Sequence, residues 1–145
     1  MATWRRKALA LFPDLRRDLQ RPDFSVYMLF FELLPNVRQA HQEGDADALR
    51  RIHGFAAWCA EQNAKDLWNA AGVAFYEHLF DSHRSLWGEF VRWLPPRVLA
   101  DCRALWEARL SVEDLAEIRR LVAERREPRY AEARQMEARQ MFESA

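Results

Sequence analysis

The sequence predicts an all-α fold, and three observations carry that prediction. Ala, Leu, Glu and Arg are abundant while the 145 residues include only four Gly and six Pro, a balance that favours helix over strand. Apolar residues recur at helical spacing in one segment after another. Half of the chain is hydrophobic, and six Trp, nine Phe and three Tyr supply large apolar surfaces, enough for one core in a chain of single-domain size. The expected architecture is a compact single-domain bundle of about six helices around a central apolar helix over residues 67–81. It divides into an N-terminal helical arm over 1–22, a helical core over 23–128 and a loosely attached, repeat-containing tail over 129–145.

Each element has a local reason. The arm, from Trp4 to Leu19, should break near Phe12-Pro13, because proline disfavours helical geometry in the residue before it. Ser25 or Asp23 can cap a second helix with Val26, Leu29, Phe30, Leu33, Leu34 and Val37 on its inner stripe, and Pro35 should kink or divide that helix. Glu43-Gly44-Asp45 reads as a turn, with Asp45 or Asp47 capping a helix from Ala46 to Gln62. Leu67 to Phe80 is apolar almost all round, as expected for a helix at the centre. An aromatic helix follows Ser82–Arg84 and ends at Pro95-Pro96, and Pro96 suits the first turn of a helix from Arg97 to Leu110. Ser111 with Asp114 forms a capping-box-like start for a last helix, with Leu115, Ile118, Leu121 and Val122 inward. Glu-Ala-Arg-Gln-Met, twice over residues 132–141, matches neither a heptad nor a 3.6 period and predicts a loosely held tail.

Charge and cysteine usage remove several classes of function. Twenty-two basic and twenty-two acidic residues cancel, so no global field gathers nucleic acid or anionic lipid. No apolar run approaches membrane-spanning length and no signal peptide is read at the N-terminus, so the expected location is cytoplasmic. Cys59 and Cys102 each sit within an apolar helical pattern and are expected as buried free thiols. The glycines at 44, 54, 72 and 88 are too scattered for a phosphate-cradling loop, and no Ser or Cys occupies a nucleophile turn. Gly54, Gly72 and Gly88 lie inside helical patterns, where close helix approach is their expected benefit.

Tyr76-Glu77-His78 with Asp81 and His83 is the one cluster suggestive of chemistry. His78 and His83 are five apart across a helix end, which does not suit two metal ligands on one face. Neither a catalytic residue nor a metal or other cofactor is therefore expected, and Glu77 and His78 are better read as a buried pair satisfied by an arginine, with Arg50, Arg51, Arg84 and Arg92 the candidates. Most tryptophans should fill the core, with Trp4 and Trp87 or Trp93 the best candidates for exposure, and an exposed aromatic patch would mark a protein partner.

The segments YMLFFELL (27–34), RIHGFAAWC (51–59) and NAAGVAFYEHLFD (69–81) resemble a family of small all-helical bacterial proteins similar to the immunity proteins of polymorphic toxin systems. The likeness covers roughly residues 24–110, with Val73 to Leu79 carrying most of it. It implies a stable scaffold that occludes a cognate protein toxin with one rigid patch and does no chemistry itself. Tyr76, Glu77, Asp81 and Trp87 are the expected partner-binding residues, through a carboxylate facing a basic residue of the toxin. A self-associating structural or regulatory subunit, using the helix from Ser111 to Val122 and the tail, is the alternative, and an enzyme or metal protein centred on Glu77 and His78 the third.

Overall fold

Three capping side chains set the register of the longest helices in the computed structural model, which describes residues 1–133. Ser25 accepts from the Met28 amide, Asp45 from Ala48 and Ser111 from Asp114, each satisfying an amide the helix leaves open. They open α3 (Val26–Glu43), α4 (Ala46–Ala60) and α10 (Val112–Glu124). Gly44 ends α3 in the left-handed conformation that glycine adopts without steric cost, at φ 68°. Pro35 does not divide α3. It and Phe31, whose carbonyl loses its helical donor there, both lie on the exposed side, where water can replace the missing bond.

The described residues form no strand, and their helices are more finely divided than the expected six. The N-terminal segment gives α1 (Thr3–Leu11), a 3-10 turn at Pro13–Leu15 and α2 (Arg16–Leu19). The central helix is α5 (Lys65–Ala70), a π-helical stretch (Ala71–Tyr76) and α6 (Glu77–Leu79) in sequence. The aromatic segment has only α7 (Trp87–Phe90), flanked by 3-10 turns at Arg84–Leu86 and Val91–Trp93. Where one helix was expected from Arg97 to Leu110 there are two, α8 (Pro96–Asp101) and α9 (Arg103–Arg109), with Cys102 as the joint at ψ −1°. Neither proline nor glycine marks that joint.

One hydrophobic core runs through all these pieces, and the N-terminal segment belongs to it. Ala8, Leu11, Phe12 and Leu19 are buried in the same cluster as Phe30, Phe55, Phe75 and Phe90. The Arg5 guanidinium donates to the carbonyls of Leu19, Arg21, Pro22 and Phe24, folding the arm back on its own end and the start of the body, and Arg51 of α4 donates to that of Leu11, tying the arm to the body at its middle. Buried Lys7 lies 4.7 Å from the Trp58 ring centroid, and burial lowers its pKa to about 8.

The start of the expected tail is also attached. The Arg129 amide donates to the Arg92 carbonyl, Arg50 pairs with Glu132 and Ala133 is buried. Most of the repeat lies outside the described residues. Both cysteines are free and buried, as expected. A Cβ at Gly72 would come 3.4 Å from a Leu105 methyl, and at Gly88 3.6 Å from a Leu121 methyl, so these two glycines receive a neighbouring side chain rather than a neighbouring backbone.

Candidate functional site

Three contacts, in the same chain order on both segments, join the central segment to α9. Gly72 faces Leu105, the Trp106 indole donates to the Tyr76 carbonyl at 2.8 Å, and Arg109 pairs with Asp81 at 2.8 Å. At the Trp68 end, α8 joins α9 in forming a groove of about 550 Å³ with Gly72, Val73, Cys102 and Leu105 on its floor. Gln62, Asn63, Asn69, Arg97 and Asp101 supply polar groups around it, and Trp68 stands at its edge with 44% of its surface exposed. Gly72, Val73 and Tyr76 of this lining belong to the π-helical stretch, an irregularity that recurs at functional sites.

Asn69 connects this groove to a second exposed surface. Its side-chain amide donates to the Tyr27 hydroxyl at 2.8 Å, tying α5 to α3, and on α3 beside Tyr27 the side chains of Met28 and Phe31 are exposed, Phe31 by 59%. Two large exposed aromatics, Trp68 and Phe31, thus flank a fixed polar bridge. Rigid amphipathic side chains of this kind act as binding anchors at little entropic cost.

The opposite end is closed by hydrogen bonds. The π-helical turn and the short α6 interrupt the regular helical ladder, and side chains from other helices bond to two carbonyls there, of which that of His78 also accepts the Asp81 amide. Trp106 takes the Tyr76 carbonyl, and Arg38 of α3 takes that of His78 at 2.5 Å. His78 places Nδ1 2.9 Å from Asp81 and Nε2 3.2 Å from Glu77, so its ring is clamped between two carboxylates. Burial alone would raise the Asp81 carboxyl, but hydrogen bonds from Arg109 and His78 more than offset it and hold its pKa below the ordinary value.

This geometry re-sorts the four expected partner-binding residues. Glu77 is half-buried and Asp81 lies at the surface, whereas Tyr76 and Trp87 are core residues, 1% and 3% exposed. The Trp87 indole is committed to the Ser82 carbonyl and its ring meets Phe80 edge-on. Trp93 is buried and Trp4 half-buried, so the exposed tryptophan is Trp68, on a segment apolar in too many directions for periodicity to choose its outer face.

The arginines that serve the Glu77–His78–Asp81 cluster are Arg38 and Arg109, in place of the four expected candidates. Arg50 pairs with Glu132, Arg51 with Asp47, Arg84 with Asp114, and Arg92 with Glu89 and Glu127. The cluster is also not fully buried, since about a quarter of each of the Glu77 and His78 side chains reaches solvent, 21% and 27%. Among the described residues, no group of three or more His, Cys, Asp or Glu side chains could hold a metal ion. Cys102, on the groove floor, is no ready nucleophile, because burial, with Asp101 and Glu77 nearby, pushes its thiol up to about 12.

A pair absent from the sequence expectations lies deeper. His41 and His53 are both buried and their Nε2 atoms are 3.0 Å apart. The signal was present in the periodicity, since His41 follows Val37 by four and His53 follows Leu49 by four, both on inner stripes.

Residues 5–110 match a family model, a span that takes in most of α1 and all of the groove and stops before α10. No curated protein and no solved structure matches the chain. Among the described residues no helix is long and apolar enough to cross a membrane. By that match over most of its length, the chain belongs to the family described as a domain of unknown function, DUF7674.

Proposed function

We propose that this domain is a protein-binding module whose docking surface is the Trp68 groove with the adjoining face of α3, and that its partner is a bacterial toxin neutralised by steric occlusion. The carrying observation is the exposure of Trp68 at the edge of an open groove, in a chain whose Trp87, Trp93 and Trp106 are buried. An aromatic anchor beside a preformed groove, with polar groups around it, is the arrangement in which few residues supply most of the binding energy. The groove lies wholly within the span matched by the family model, as a surface belonging to the domain itself should. The identity of the partner rests on the resemblance of the 27–34, 51–59 and 69–81 segments to immunity proteins. Occlusion needs a rigid surface and no catalytic group, and the Asp81–Arg109 closure keeps one end of the groove fixed.

Co-expression with the product of the adjacent open reading frame tests both parts. If that product arrests growth alone, the wild-type domain should restore growth and Trp68→Ala, shown to be folded by its circular dichroism, should not. Protection by Trp68→Ala equal to wild type would remove the groove from the account, and an innocuous, non-binding product would remove the toxin.

One observation favours self-association as a second reading. A cleft of about 350 Å³ between α8–α9 and α10 is lined by Leu99, Trp106, Leu115, Ile118 and Val122, so the apolar stripe of α10 is only partly covered. Light scattering of wild type and Leu115→Glu decides it: a dimer that dissociates on substitution supports association, and a monomer in both cases sinks it.

A further inference from the structure

The core contains two imidazoles whose hydrogen bond among the described residues is to each other. His41 of α3 and His53 of α4 approach Nε2 to Nε2 at 3.0 Å, and one hydrogen bond can form between them, with one ring donating and the other accepting. His53 Nδ1 is buried and has no hydrogen-bond partner among the described residues. An orphaned lone pair costs less than an orphaned N–H, so the favoured arrangement has His53 donating from Nε2 and leaving Nδ1 bare. His53 stacks on Trp93 at 5.1 Å with 12° between planes and meets Phe75 edge-on, while His41 lies 4.5 Å from Phe90. The pair is therefore the polar joint between the α3–α4 hairpin and the aromatic segment.

We infer that the His41–His53 pair is an acid-sensitive latch, which closes the α3–α4 hairpin over Phe90 and Trp93 when neutral and releases it when a proton enters. A proton on the accepting His41 Nε2 turns the single bond into N–H against N–H, and one on His53 Nδ1 creates a buried N–H with nothing to receive it; either leaves a cation among aromatic side chains. Among the described residues no carboxylate is hydrogen-bonded to either ring to compensate. The charged groups on the flanking elements are otherwise engaged: Arg92 is paired with Glu89 and Glu127, and Arg50 with Glu132. Arg129, 5.9 Å from the Trp93 ring, is likewise paired with Glu132 at 3.6 Å and brings no negative charge to the histidines.

The direction in pH follows. Burial lowers the His41 pKa from 6.5 to about 4, and burial together with His41 lowers that of His53 well below 6.5. The closed state is fully favoured above pH 6.5 and is progressively lost as pH falls from 6.5 toward 4, because the open state binds protons that the closed state excludes. Two protons taken up together raise the opening constant by up to about a hundredfold per pH unit.

The test is a titration of the full-length protein from pH 7.5 to 4, following near-ultraviolet circular dichroism for tertiary packing, far-ultraviolet for helix, and histidine ring resonances by NMR. The expected result is a loss of tertiary signal with helix largely retained, steep enough to report two protons, with two of the four histidines titrating in step with it. His41→Gln, which can still hydrogen-bond to His53 but does not titrate in this range, should reduce the steepness to one proton. Should that variant fail to fold, the NMR titration of wild type decides alone. Packing unchanged down to pH 4, histidines titrating independently of the packing signal, or equal steepness in a folded His41→Gln would overturn the latch.

Discussion

The two ends of the crevice between the central helix and α9 are built from the same pair of chain segments and do opposite things. At the Asp81 end the Tyr76 and His78 carbonyls accept from Trp106 and Arg38 of other helices, Arg109 holds the Asp81 carboxylate, and His78 bridges the carboxylates of its own segment. At the Trp68 end the walls part, a large aromatic is left in solvent, and Asn69 turns away to hold Tyr27. The contrast separates residues that hold the domain together from residues free to bind. It also shows why an aromatic or acidic residue near a site cannot be assigned to binding before its hydrogen bonds are accounted for.

Substitutions at the two ends should therefore separate stability from recognition. The largest effect is expected from Trp106→Ala, which removes the indole bond to the Tyr76 carbonyl and the edge-on contact with Phe80 at 5.4 Å. A loss of about 3–5 kcal/mol in denaturant unfolding is expected there. Trp68→Ala should reverse the pattern, weakening partner binding by about 2 kcal/mol, roughly thirtyfold, while stability moves by less than ~1 kcal/mol. Titration calorimetry and chemical unfolding on the same preparation check the two halves of that statement.

Ser111→Ala lies outside both ends and should cost about 1 kcal/mol of unfolding free energy through the lost cap on α10, without touching the groove. The smallest effect belongs to Asp81→Asn. Its bond to Arg109 is half exposed and screened, so less than ~1 kcal/mol is expected at neutral pH. Since the folded Asp81 carboxyl is held below its ordinary 3.8, that contribution is present above the unfolded value and disappears as pH falls through the folded one. Unfolding curves of wild type and Asp81→Asn should converge in that acid range.

The helices with strong polar punctuation were legible in the sequence. Ser25, Asp45 and Ser111 cap where their side-chain chemistry predicts, Gly44 turns the chain, and Pro96 opens α8. What was not legible has physical causes. The segment from Leu67 to Phe80 is apolar in nearly every direction, so its period cannot say which face is outward, and the π-helical stretch rotates the residues beyond it. Within that segment Tyr76 proves buried and Trp68 exposed, and Trp87, in the equally apolar aromatic segment that follows, is buried as well. The pairing of Asp81 with Arg109 spans 28 residues, and among so many arginines only the packing of α9 beside α6 selects it.

The most direct test of the groove as a binding surface is a pull-down of the co-expressed neighbouring gene product by wild type, Trp68→Ala and Asp81→Asn. The account predicts stoichiometric capture by wild type and by Asp81→Asn and loss of capture by folded Trp68→Ala. Capture undiminished in Trp68→Ala, or lost in Asp81→Asn alone, would contradict it and move the binding surface to the opposite end of the crevice.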